Sequence, residues 1–185
     1  ANYSPDRLEL KDASLQWRNQ EVTASGSIGL GSTSAPLHLE ALLERVSIPE
    51  IVSLYGIHPE IRGTASGKLN VSGSLSSPVG NLAITMDQLQ AYGEPLGQLT
   101  SEVTWQNKKV VLNHLRLEKP QPTGNGIAEG QGILDLASRE YELQLDAKNL
   151  QASTLQVPGD VCLVGRFGFK ATGKGTFDNP SFQLK

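Results

Sequence analysis

The segment Gly168-Phe-Lys-Ala-Thr-Gly173-Lys174-Gly175 comes nearest to a phosphate-binding loop. A Walker loop follows its lysine with Ser or Thr, whose hydroxyl holds magnesium, and then opens a helix. Here Gly175 follows the lysine, then Thr176-Phe177 and an Asp-Asn-Pro turn, so the segment reads as a strand and its turn. Gly124, Gly126, Gly130 and Gly132 lack dinucleotide-loop spacing, and no helical pattern comes after them. Zinc needs His, Cys or carboxylate ligands brought close together. His38, His58 and His114 lie far apart, none has a second His or Cys two or four residues on, and no HExxH occurs. Carboxylates fall mainly on the polar positions of alternating segments, near Lys or Arg, as on a solvated face; no pair of them stands out as glycosidase-like. Cys162, out of phase between Val161 and Leu163, suits a small half-buried residue better than a nucleophile. Asn2-Tyr-Ser4 and Asn70-Val-Ser72 match the glycosylation acceptor pattern. The expectation is a protein without enzymatic activity, metal or cofactor.

Composition narrows the partners. The net charge is −3, aromatics make up 5% and no basic stripe exists. Nucleic-acid binding calls for clustered Lys and Arg with stacking rings, so it is not expected. A single cysteine forbids an internal disulfide and leaves the compartment open. No run of 18 apolar residues offers a membrane span, and the first residues carry neither a basic region nor an apolar core of a signal peptide. The last residues, Pro180-Ser181-Phe182-Gln183-Leu184-Lys185, resemble an opening strand. A piece of a longer protein, with targeting segments elsewhere, is therefore expected.

The elements that must position any site are strands. Residues 61 to 75 alternate without a break: apolar or glycine at odd positions, polar at even ones. Similar alternation covers Val22–Leu30, Leu37–Leu43, Leu99–Trp105, Tyr141–Ala147, and a run from Val161 through Leu163, Gly165, Phe167, Phe169 and Ala171 to Phe177. Period-2 alternation gives a sheet with one apolar and one solvated face. Phase slips near Asp87-Gln88 and His114-Leu115 predict bulges. Short turn signals such as Ser76-Ser77-Pro78, Tyr92-Gly93 and Asn107-Lys108 predict antiparallel neighbours.

One segment departs from this. Ser47 as N-cap, Glu50 completing a capping box, and Pro49 in the first turn predict a short helix near 48–55 that plugs the end of a sheet. Ile51, Leu54 and Tyr55 follow at helical spacing and Gly56 is the stop. An internal repeat is also visible. Gly73 and Pro78 recur 102 residues later as Gly175 and Pro180, and Leu8, Leu10, Ala13 and Leu15 recur as Val110, Leu112, Leu115 and Leu117. Leu39, Ala41, Leu43 and Val46 recur as Leu143, Leu145, Ala147 and Leu150 after a two-residue insertion. Two repeat units are expected, 1–92 with the helix and 93–185, forming one continuous domain.

An apolar face of this size is either the core of a β-sandwich or the lining of an open groove. Long strands and interior glycines (Gly63, Gly67, Gly73, Gly165, Gly173, Gly175) favour a curved, open lining that holds acyl chains.

Gly67-Lys-Leu-Asn-Val-Ser-Gly-Ser-Leu-Ser-Ser-Pro78, then Leu82-Ala-Ile84, resembles the strand–turn unit of TamB and AsmA-like envelope proteins. Gly173-Lys-Gly-Thr-Phe-Asp-Asn-Pro180 is similar to a next copy of it, and Gly130–Leu136 followed by Tyr141–Leu145 to the family's later strands. The resemblance implies an all-β fold, a long antiparallel meander curled into a taco-shaped groove; the alternative, read from the residues alone, is a structural β-sandwich of a surface protein. It implies a periplasmic protein, anchored to the inner membrane by a segment outside this sequence, that carries phospholipid between the two membranes. Assembly of outer-membrane proteins with an Omp85-type barrel partner is the alternative role. The family has no catalytic residues to carry over. By analogy, the lining is Val22, Ile28, Leu39, Leu43, Leu69, Val71, Leu75, Leu143, Leu145, Leu163, Phe167 and Phe169.

Overall fold

A computed structural model describes residues 2–17, 20–53, 60–121, 124–151 and 165–185. It forms one antiparallel sheet whose strands lie side by side in chain order. These are β1 (Asn2–Ser4), β2 (Arg7–Trp17), β3 (Gln20–Gly29), β4 (Pro36–Ser47), β5 (Ile61–Ser74) and β6 (Pro78–Ala91). They are followed by β7 (Glu94–Gln106), β8 (Lys109–Lys119), β9 (Gly126–Asp135), β10 (Glu140–Gln151), β11 (Arg166–Thr176) and β12 (Asn179–Leu184). The single helix among the described residues, α1 (Ile48–Ser53), sits between β4 and β5. It is far too short to cross a membrane. The sheet is open: β1 and β12 are its edges and do not meet. No second sheet packs on it among the described residues, which removes the β-sandwich alternative.

Tight hairpins produce this order. The β6–β7 loop is Tyr92-Gly93, with φ of 50° and 82°, and the β7–β8 loop is Asn107-Lys108, with φ of 51° and 63°. Positive φ at both central residues is the type I′ turn, whose twist matches that of the paired strands.

Every second strand from β2 to β10 carries a bulge. Extra residues lie between Leu10 and Ala13, Leu43 and Val46, Met86 and Leu89, Leu112 and Leu115, and Ala147 and Leu150. Two are the phase slips visible in the sequence; the other three fall where apolar spacing lengthens from two to three. In four of them a non-glycine residue takes the left-handed conformation: Asp12 (φ 46°), Arg45 (φ 51°), Gln88 (φ 52°) and Asn149 (φ 59°). A bulge bends its strand and increases local twist. Here each one also returns the following apolar residue to the same face.

Several sequence expectations need correction. The strand expected over 61–75 ends at Ser74, and Leu75 lies in the β5–β6 turn, 49% exposed. The strand expected from Val161 to Phe177 is described only from Arg166 to Thr176. Phe177 is in the turn after it, and Val161, Cys162 and Leu163 lie outside the described residues. Leu54, Tyr55 and Gly56, expected to finish the helix, and His58 also lie outside them.

The left-handed bulge residues permit a direct check. Arg45 is exposed, and its backbone N–H donates to Ser66 Oγ at 3.0 Å. Left-handed backbone costs a non-glycine residue about 1–2 kcal/mol. Arg45→Gly is expected to raise the urea midpoint modestly, and Arg45→Val to lower stability by about 1–2 kcal/mol. Equal midpoints for the two variants would show that this conformation is not under strain.

Candidate functional site: the apolar face

Ladder register converts the alternation of single strands into a surface. One row across the sheet, from β2 to β12, runs Leu10, Gly26, Leu39, Val71, Gly80, Trp105, Val110, Leu134, Tyr141, Gly175, Pro180. The next runs Ala13, Ala24, Ala41, Leu69, Leu82, Val103, Leu112, Gly132, Leu143, Gly173, Phe182. A third, with Val22, Leu43, Ile84, Leu115, Leu145 and Leu184, is interrupted by one polar residue, Ser101. Strands about 4.8 Å apart carry these rows roughly 50 Å across the sheet.

Of the twelve residues expected to line a groove, ten lie on this one face: Val22, Ile28, Leu39, Leu43, Leu69, Val71, Leu143, Leu145, Phe167 and Phe169. Leu75 is in a turn and Leu163 is outside the described residues. Trp105, Leu82, Ile84, Leu112, Leu134 and Tyr141 share the face but were not in the expected lining. Alternation alone places each on an apolar side; only register shows which apolar sides are the same one.

Among the described residues, the face is uncovered over most of its area. Among the described residues only Val46, Ile48, Ala65, Leu89 and Ala147 are buried apolar side chains, and no polar side chain is buried. The accessible surface of 12178 Å² compares with roughly 8,700 Å² for a compact monomer of this mass. Glycines sit beside large side chains on the face. A Cβ on Gly80 would fall 2.2 Å from Trp105 Cζ2, so the indole lies against the bare backbone there. Gly173 likewise receives the Phe182 ring, which with Tyr141 and Phe177 forms an aromatic group, Tyr141 to Phe177 at 6.0 Å and Tyr141 to Phe182 at 6.3 Å.

One rim is closed by the helix. Ile48 of α1, 7% exposed, packs with Ala65 and Leu89, and Val52, Ile61, Leu96 and Leu99 surround them. The expected capping box closes through a third residue. Ser47 N–H donates to Gln20 Oε1 at 3.1 Å, and Gln20 Nε2 donates to the Glu50 carboxylate. Gln20, on β3, thus ties the helix start to the sheet across 27 residues of chain. No local sequence signal marks that role.

The opposite face holds most of the charges, which pair along the ladders; Lys119 and Glu94 instead pair at 3.2 Å on the apolar side, near the helix. Arg116 donates to Glu118 at 2.8 Å and to Glu129, while Asp146 meets Lys170 at 3.2 Å and Lys148 at 3.5 Å. The hydrogen bond from Lys170 is the main cause holding the Asp146 carboxyl below its ordinary range, against the opposing effect of desolvation. Asp135 is held low chiefly by backbone N–H donation from Ser138, then from Ala137, in the β9–β10 turn. A hollow of about 440 Å³ on this side gathers His114, Glu129, Asp146 and Lys170, but its carboxylates already answer neighbouring cations. No group of His, Cys, Asp and Glu among the described residues is arranged to hold a metal ion.

No family model, no curated protein and no solved structure matches the chain.

Two hydrogen bonds at about 0.5–1.5 kcal/mol each set the value of Gln20. Gln20→Ala is expected to cost about 1–3 kcal/mol and to speed amide exchange across Ser47–Ser53 before the rest of the sheet. Unchanged exchange in that segment would mean that apolar packing of Ile48 alone holds the helix.

Proposed function

We propose that this chain is a non-enzymatic segment of a periplasmic bridge-like protein that carries phospholipid between the inner and outer membranes along its apolar sheet face. The observation that carries this reading is the continuity of that face: cross-strand rows of Leu, Val, Ile, Ala, Gly and aromatic residues span the sheet and remain largely uncovered. Acyl chains gain about 25 cal/mol per Å² of apolar area removed from water, and the protein face gains likewise. Because burial is non-directional, a tail held this way slides without breaking any specific bond. Head groups stay at the polar boundary. The likeness to TamB and AsmA-like strand–turn units supports the envelope setting.

Helix α1 fits this role as a rim. It covers only the end of the face where Val46, Ala65 and Leu89 lie, and no other described element covers the two long rows from β2 to β12.

Val71 and Asn70 are adjacent and point to opposite faces. Val71 lies in the row between Leu39 and Gly80, and Asn70 lies opposite Glu40 and Asn81. Lipid extraction and mass spectrometry on protein purified without detergent from an envelope preparation are expected to find bound phospholipid. Val71→Asp should remove most of it, and Asn70→Asp should leave it in place. Native protein free of lipid, or equal retention by both variants, would overturn the proposal and leave strand-based assembly of barrel proteins as the better reading.

A further inference from the structure

Along β8 the apolar side is held by Val110, Leu112, Leu115 and Leu117, and the next residue in phase is Lys119. Its ammonium donates to the Glu94 carboxylate at 3.2 Å. The pair is covered but not sealed: the two side chains are 13% and 34% exposed. Withdrawing opposite charges from water is a poor source of stability unless their remaining donors and acceptors are also met.

Here the donors are not met. Among the described residues Glu94 is the one acceptor for Lys119, which leaves the ammonium with N–H groups to spare. The side-chain nitrogen of Gln121 is covered and has no hydrogen-bond partner. Both groups stand beside Gly126. Lys119 pairs with Gly126 across the ladder, and directly paired residues share a face. A Cβ on Gly126 would point to that face, where it would collide with the Gln121 amide nitrogen. The unmet N–H groups of Lys119 and Gln121 therefore gather on the apolar side, over bare backbone. Leu117 of the cluster under α1 precedes this spot on β8, and Leu150 borders it from β10.

Donors without acceptors call for an anionic oxygen. A simple anion would meet the Glu94 carboxylate as well as Lys119, and the two effects oppose each other. A zwitterion satisfies both partners: its phosphodiester oxygens accept from Lys119 and Gln121, and its ammonium donates to Glu94. The apolar residues that lead up to the spot suit acyl chains attached to such a group.

We infer that this rim holds the headgroup of a zwitterionic glycerophospholipid of the phosphoethanolamine class, with its tails running back along Leu117, Leu115 and Leu112. The inference rests on the reading of the apolar face as a lipid track and adds the class of lipid that the track selects.

Lipids with identical tails test it. Vesicles of dioleoylphosphatidylglycerol are made with equal minor amounts of dioleoylphosphatidylethanolamine and dioleoylglycerol. Protein is incubated with them and separated by flotation, and its lipid is measured by mass spectrometry. The native chain is expected to enrich phosphatidylethanolamine several-fold over the other two, relative to the vesicles. Lys119→Met combined with Glu94→Gln keeps the side-chain lengths and removes the pair; it should abolish the enrichment while dioleoylglycerol uptake persists, which also reports a folded sheet. Gln121→Met should reduce the enrichment in part. Equal enrichment by the native chain and the double variant, or native preference for phosphatidylglycerol, would overturn the headgroup site and leave the lipid track standing. A native chain that takes up none of the three would overturn both.

Discussion

A β-strand sends successive side chains to opposite sides, and a ladder transmits that choice to its neighbour without error. The structure depends on keeping this assignment unbroken from one edge of the sheet to the other. A slip of one residue in any pairing would carry a whole strand's Leu and Val to the charged side and its Glu and Lys to the apolar side. The bulges matter for the same reason. Where spacing between apolar residues lengthens to three, as from Leu112 to Leu115 or Ala147 to Leu150, the extra residue is looped out and the row resumes in phase.

Apart from Leu42, Val111 and Ile133, which stand on the charged side, apolar and charged residues are largely segregated, and this removes the usual means of stability. A compact domain buries apolar groups against a second layer; here, among the described residues, only a small cluster under α1 approaches that state. What remains is backbone pairing, cross-strand contact between neighbouring side chains, and ion pairs such as Arg116 with Glu118 and Glu129 on the wet face. Exposed pairs of that kind contribute at most about 1 kcal/mol each. A ligand or partner that covers the apolar face would therefore add stability in proportion to the area it covers.

The strand content, the polarity of each face and two of the bulges were legible in single residues, because alternation and its interruptions are local properties. Ser47 and Pro49 announced the helix for the same reason. Register was not legible: nothing in Trp105 says that it lies over Gly80, since that depends on the turn of Tyr92-Gly93, the bulge at Gln88 and a compensating irregularity between Pro95 and Gly97 on β7 acting together. Leu75 looked like the end of a long strand because alternation continues through it, whereas the chain has already entered the turn that pairs Gly73 with Pro78. Gln20 was invisible for another reason: its partners, Ser47 and Glu50, are remote in sequence and meet it only after β3 and β4 have paired.

The order of strands has a consequence for how the chain acquires its structure. Each strand pairs only with its predecessor and its successor, so no segment must wait for a distant one. Loop-closure entropy stays small at every step, the condition that favours rapid folding. A chain that folds from one end can zip hairpin upon hairpin, each finished strand templating the next. Unfolding under tension is expected to run the same way in reverse, peeling from an edge in small steps with no single cooperative rupture.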